Sequence, residues 1–144
     1  MTGEQEAGER RGPGERAGPI VAIDGPAGVG KTSVARAVAA RLGFRYVNTG
    51  AMYRAVAYEA LRRRIAPDDA PALAAIARRL AIDFREGSHG QRVLLAGEDV
   101  TEALQSPAVS EAASLVSAHP EVRQALVVLQ RRLAGDGRVV VEGR

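Results

Sequence analysis

The chain has 144 residues, 46% hydrophobic and 26% charged, enough to bury the core of one globular domain. It has no cysteine, which excludes a disulfide framework and thiolate metal sites, and no apolar stretch long enough to span a membrane, so a cytoplasmic setting is expected. The net charge of +3 suits a phosphorylated ligand, whereas only 3% aromatic residues argue against base stacking; a monomer with no nucleic-acid or membrane partner is expected.

Residues 1–18 are mostly Gly, Glu, Arg and Pro with almost nothing to bury, and read as a disordered tail. The domain is expected to run from 19 to 144. Pro19-Ile20-Val21-Ala22-Ile23 is a short apolar run rich in β-branched residues, the composition of a buried parallel strand. Next comes Gly25-Pro26-Ala27-Gly28-Val29-Gly30-Lys31-Thr32, which matches G-x-x-x-x-G-K-[ST], the Walker A phosphate-binding loop. Lys31 is the only lysine; the 19 other basic side chains are arginine. Glycines let the backbone turn its N–H groups towards phosphate oxygens. The lysine ammonium reaches the β- and γ-phosphates, and the Thr32 hydroxyl can ligate Mg²⁺. The expected nucleoside triphosphate-binding set is Gly25 to Ser33, with Asp24 organising the loop by accepting backbone N–H bonds. Val34, Val38 and Leu42 then recur every four residues as the apolar stripe of a helix, and Gly43 follows as its stop. Strand, glycine loop and helix put phosphates on a helix N-terminus.

Phe44 to Val47 reads as a second strand, Asn48-Thr49-Gly50 as a turn or cap, and 51–64 as a helix closed by Arg62-Arg63-Arg64, a solvated terminus. A helix is expected from Pro67 to about Leu80. Residues 81–85 and 91–96 read as antiparallel strands around the turn 86–90, with a further turn at Gly97-Glu98 and a short strand at Asp99-Val100. Ser106-Pro107 opens a helix to about Ala118, and Pro120 opens another carrying Val122, Leu126, Leu129 and Leu133 on one face. Residues 138–142 read as a last strand, apolar on both faces. Such a strand rarely ends a domain, so the chain is expected to be the N-terminal part of a longer protein. The plan is α/β with a parallel sheet flanked by helices and a small α+β insert at about 80–120.

Three segments are site candidates besides the loop. Asn48 to Arg54 follows the second strand, where ligands sit in open α/β sheets. Arg54 could fork onto a phosphate, or be a surface arginine at a helix start. Glu142-Gly143-Arg144 could be a Walker B-like acid with a phosphate-binding arginine, or a plain strand end. Ser114 and Arg123 read as polar positions on two helix surfaces. His89 and His119 have no neighbours at metal-ligand spacing and receive no role.

Together these segments resemble the cytidylate kinase family. Ile23 to Lys31 looks like its P-loop, Asn48 to Arg54 like its monophosphate-binding motif, and Val139 to Arg144 like the strand entering its E-G-R-D motif. The resemblance implies a P-loop nucleoside monophosphate kinase that uses ATP and Mg²⁺ to phosphorylate CMP and dCMP. It implies catalytic Lys31 and Arg144, the latter binding phosphate. Thr49, Tyr53 and Arg54 would contact the ribose-phosphate side of CMP, and Ser114 and Arg123 the cytosine. It implies the strand order 2-3-1-4-5, with the fourth and fifth strands and an arginine-rich lid beyond residue 144, and residues 19–24 as an exposed apolar edge. Asn48 departs from the family's frequent aspartate. The alternatives are an inactive nucleotide-binding fragment, or a kinase of another small acceptor such as UMP or shikimate.

Overall fold

The computed structural model describes residues 18–25, 30–135 and 137–143. The expected tail, the loop residues Pro26, Ala27, Gly28 and Val29, and Arg144 lie outside the described residues, except for Gly18. Strand β1 (Ile20–Asp24) leads into helix α1 (Lys31–Leu42), strand β2 (Arg45–Asn48) and helix α2 (Thr49–Arg62). Helix α3 (Ala70–Arg78) precedes strands β3 (Ile82–Gly87), β4 (Gly90–Leu95) and β5 (Glu98–Asp99). A 3₁₀ turn (Ala103–Gln105), helices α4 (Pro107–Val116) and α5 (Pro120–Ala134), and strand β6 (Val139–Gly143) complete the order.

One sheet is parallel, in the order β1-β6-β2. This is the order the family resemblance implies for its first three strands. The last strand lies in the middle, with Val139 beside both Ile20 and Arg45, and Glu142 beside both Ile23 and Asn48. Val139 and Val140 are fully buried, as a strand covered on both faces requires. Among the described residues β1 pairs with β6 alone, and Ile20 is 59% exposed.

The two faces of this sheet carry different layers. Tyr46 and Val140 meet Ala35 and Ala39 of α1 on one face. On the other, Val47 and Val139 join Met52, Ala55 and Val56 of α2 and Val122 and Leu126 of α5. The α1 stripe is therefore not the expected one. Val34 and Leu42 are about half exposed, Val38 packs against the core as expected, and the fully buried positions are Ala35 and Ala39. Alanine has nothing beyond Cβ, so the helix can lie close over the strands. On α5 the expected face holds: Val122, Leu126 and Leu129 are buried and Leu133 packs against them.

β3, β4 and β5 form an antiparallel meander in which Gly87 pairs with Gly90. Its first turn is thus the two residues Ser88-His89, tighter than the expected five, because both strands extend further. β5 starts at Glu98, inside the expected turn. The meander is not a separate body. Ile82, Val93, Leu95, Val100 and Leu104 share the larger core with α2, α3, α4 and α5.

Polar caps set the helix starts. Asn48 accepts a hydrogen bond from Ala51 N (3.2 Å), Asp69 from Ala72 N (3.2 Å) and Ser106 from Val109 N (3.2 Å). Because Asn48 is the cap, α2 begins at Thr49 rather than Ala51. At its other end α2 stops at Arg62, and the buried Glu59 takes up both Arg62 (2.9 Å) and Arg63 (2.8 Å). Those hydrogen bonds, Arg62 first, hold the Glu59 carboxyl below the usual carboxylate range. No helix among the described residues is long and apolar enough to cross a membrane.

Candidate active site

The parallel register brings the carboxyl ends of β1, β6 and β2 to one rim, and Lys31, Thr32, Thr49 and Glu142 gather there. Gly30 starts α1 with φ of 82°, a left-handed conformation that glycine adopts without a Cβ penalty. Lys31 opens the helix, and its ammonium donates to Gly25 O (2.8 Å) and Gly143 O (3.3 Å), bridging the ends of β1 and β6. Asp24 accepts from Gly25 N (2.8 Å), the local bond expected of it.

Glu142 is the buried centre of the rim, 6% exposed. The Thr32 hydroxyl donates to its Oε2 (2.8 Å) and the Tyr46 hydroxyl to its Oε1. The Thr49 hydroxyl donates to its main-chain carbonyl (2.8 Å). Burial, and next the Glu142 carboxylate, push the Tyr46 hydroxyl well above the usual tyrosine range, so it remains a donor across ordinary pH. The Walker-type threonine and the acid after the apolar strand thus touch, although 110 positions separate them.

Gly143 is fixed by its surroundings. A Cβ there would stand 2.2 Å from Thr49 Oγ1. Gly143→Ala is therefore expected to cost about 1–3 kcal/mol of stability through overpacking. Denaturant unfolding should show much of that loss restored in the double variant with Thr49→Ala, because the nearest remaining atom, Thr49 Cβ, lies at 3.4 Å.

A cleft of about 260 Å³ opens beside this rim. Thr32, Tyr46, Asn48 and Arg54 line it together with Gln91 of the meander and Thr101 just after it. Arg54 donates to Leu104 O (2.9 Å) and to the Ser110 hydroxyl (2.7 Å), which hold its guanidinium in the cleft lining. Gln91 Nε2 donates to Tyr46 O (3.0 Å), and Arg36 pairs with Glu86 (3.2 Å), so the meander is tied to the α1 side.

Thr101 is held by a charged knot. Its hydroxyl donates to Asp99 (2.7 Å) and accepts from Val93 N (2.8 Å), while Arg92 binds Asp99 (2.8 Å) and Glu102 (2.9 Å). Arg92, and then Thr101, hold the Asp99 carboxyl down at about 2, against an ordinary 3.8. A depressed carboxyl contributes stability above its ordinary value and loses it as pH falls through the folded value. An NMR titration of Asp99 should therefore show a midpoint near 2, moving up towards 3.8 in Arg92→Leu. A wild-type midpoint at 3.8 would dissolve the knot.

Ser114 and Arg123 do not line the cleft. Ser114 is exposed on α4 and its hydroxyl lies 3.4 Å from Ser110 O, one turn from the serine that holds Arg54. Arg123 is exposed and caps the end of α4 through Ser117 O and Ala118 O (both 3.1 Å). Tyr53 is half-buried; burial raises its hydroxyl pKa, and the Arg123 guanidinium opposes the shift. Ser33 is exposed in the first turn of α1. The residues not singled out from sequence are Tyr46, Arg36, Gln91 and Thr101. Tyr46 carries the one signal that could have found it, a tyrosine two places before Asn48 and so on the same strand face.

A hydroxyl and a carboxylate are hard oxygen donors, the chemistry Mg²⁺ takes. Among the described residues no group of three or more His, Cys, Asp or Glu could hold a metal alone. The Thr32 hydroxyl beside the Glu142 carboxylate would fit an ion whose remaining ligands came from phosphate and water.

The family model described as cytidylate kinase matches residues 21–144. The cytidylate kinase of Desulfitobacterium hafniense (strain Y51) is 54% identical over 124 residues, 86% of this chain and 53% of that protein. That of Pelotomaculum thermopropionicum (strain DSM 13744 / JCM 10971 / SI) is 52% identical over 127 residues, 88% of this chain and 56% of its own length. The bifunctional pantoate ligase/cytidylate kinase of Gloeobacter violaceus (strain ATCC 29082 / PCC 7421) is 49% identical over 129 residues, 88% of this chain and 25% of that protein. The chain spans about half the length of the curated single-function relatives it matches. Loop, rim carboxylate, cleft and matched residues agree: this chain belongs to the cytidylate kinase family.

Proposed function

We propose that the protein carrying this chain transfers the γ-phosphoryl group of ATP to CMP or dCMP, giving CDP or dCDP and ADP. The observation that carries the reading is the rim itself. Lys31 and the Thr32–Glu142 pair join the strand ends at the rim, and Thr32 also lines the adjoining cleft together with Arg54, an arrangement suited to phosphoryl transfer between two bound nucleotides. The relatives' printed name supplies the acceptor.

The nucleophile is a phosphate oxygen of the monophosphate, anionic at neutral pH, so no strong general base is needed. It bonds to the γ-phosphorus as the bond to the β–γ bridging oxygen breaks, and ADP leaves with that electron pair. Lys31 neutralises charge on the β- and γ-phosphates. Thr32 would hold Mg²⁺, which when bound would supply neutralisation of phosphate charge. Thr49, Tyr53 and Arg54 position the acceptor's ribose-phosphate. Ser114 and Arg123 read the cytosine ring, where polar groups left unpaired by another base would disfavour it. Arg144 adds a phosphate contact.

The test is ADP release with CMP, dCMP, UMP, AMP and shikimate as acceptors. The reading expects CMP and dCMP to support turnover and the others to lag by at least about tenfold. A protein that bound ATP and released ADP with none of them would be a nucleotide-binding module. Preference for shikimate or UMP would reassign the acceptor.

A further inference from the structure

We infer that Tyr46 is a positioning residue for the Mg²⁺·ATP site, acting by clamping Glu142 against Thr32. The inference rests on the reading of Thr32 as the ligand of a nucleotide-bound Mg²⁺. Glu142 has three side-chain torsions before its carboxylate, more than a residue set close to an ion can leave free. Here both carboxylate oxygens are engaged, Oε1 by the Tyr46 hydroxyl and Oε2 by the Thr32 hydroxyl. With Oε1 held, Oε2 faces Thr32. Thr32 then spends its proton on Glu142 and turns oxygen lone pairs outward, the orientation a metal ligand needs.

Tyr46 suits the task because it is itself held. It is 6% exposed and packs with Ala35, Ala39 and Val140, so its ring has little room to swing. Its main-chain carbonyl accepts from Gln91 of the meander (3.0 Å). β2 also pairs directly with β6, and Tyr46 sits beside Val140, two residues before Glu142 on the same strand face. Phenylalanine in its place would keep the packing and remove only the donor.

The test is calorimetric binding of ATP to the protein carrying this chain, with EDTA and with saturating Mg²⁺. Wild type is expected to bind ATP more tightly with Mg²⁺. Tyr46→Phe is expected to match wild type within about twofold in EDTA and to lose about tenfold of affinity with Mg²⁺, the scale seen when partners behind a metal ligand are removed. In a Glu142→Gln background the same change should cost less than about twofold, because the carboxylate it positions is gone. Equal Mg²⁺ enhancement in wild type and Tyr46→Phe would overturn the inference while leaving the nucleotide reading intact. A loss equal in EDTA and Mg²⁺ would make Tyr46 a packing residue and also overturn it. Wild type that bound no ATP under either condition would overturn the nucleotide reading and this inference with it.

Discussion

Lys31→Ala is expected to lower kcat for CMP-dependent ADP release by at least about a hundredfold, the scale of removing one preorganised charge-stabilising donor. Its thermal unfolding should change little. Lys31 stands at the first position of α1, where alanine is well tolerated, and its ammonium is held by two carbonyls at the rim, Gly25 O and Gly143 O. Those two bonds place a compact positive charge between the ends of β1 and β6. The third ammonium proton remains for a phosphate oxygen. Lys31→Arg is the sharper test. Arginine serves at every other basic position of this chain, so charge alone is freely supplied. A planar fork cannot meet two carbonyls and a phosphate from one atom, so Lys31→Arg should also lose at least about tenfold. Turnover of Lys31→Ala within about threefold of wild type would refute the assigned role.

Much of this site was legible because its signals are local. The glycine loop, the strand before it and the helix after it are contiguous, and each reads from composition and spacing. Asn48, Asp69 and Ser106 are caps whose partners lie three residues on. Val139-Val140-Val141 announced a strand covered on both faces, and β6 is central. What local patterns do not carry is register between distant strands. Tyr46 meets Glu142 across 96 positions, and Arg54 meets Leu104 O across 50. A tyrosine in a strand reads as core, and only the pairing of β2 with β6 shows what its hydroxyl touches. The α1 stripe failed for a different reason. Of Val34, Val38 and Leu42 only Val38 packs on the core, because close approach to the sheet favours the smaller Ala35 and Ala39. Ser114 and Arg123 were named through family resemblance, and their local bonds to Ser110, Ser117 and Ala118 are those of helix-surface residues.

Leu104→Ala is expected to cost about 2–5 kcal/mol of unfolding free energy, the range for a buried leucine cut back to Cβ. Against a total of about 5–15 kcal/mol for a domain, that is a large fraction. Leu104 is 1% exposed and belongs to the larger core with Val100, Val109 and Met52. It is also the middle residue of the 3₁₀ turn that joins the meander to α4. Backbone bonds from Leu104 N, Gln105 N and Ser106 N close the turn, and the buried Leu104 side chain fixes it against the core. Arg54 depends on it in turn, because Leu104 O is one of its two acceptors. The variant should therefore show two effects of different origin. Denaturant unfolding should report the loss of packing. At temperatures where the variant remains folded, KM for CMP should rise several-fold while ATP affinity stays within about twofold, since Lys31 and Thr32 are anchored on β1, α1 and β6 instead. A conservative Leu104→Met, which keeps volume and costs less than about 1.5 kcal/mol, should restore both. If Leu104→Ala lost stability without any change in KM, Arg54 would be positioned by Ser110 alone. If ATP and CMP binding fell together, the cleft and the phosphate loop would move as one unit rather than as the two supports their hydrogen bonds describe.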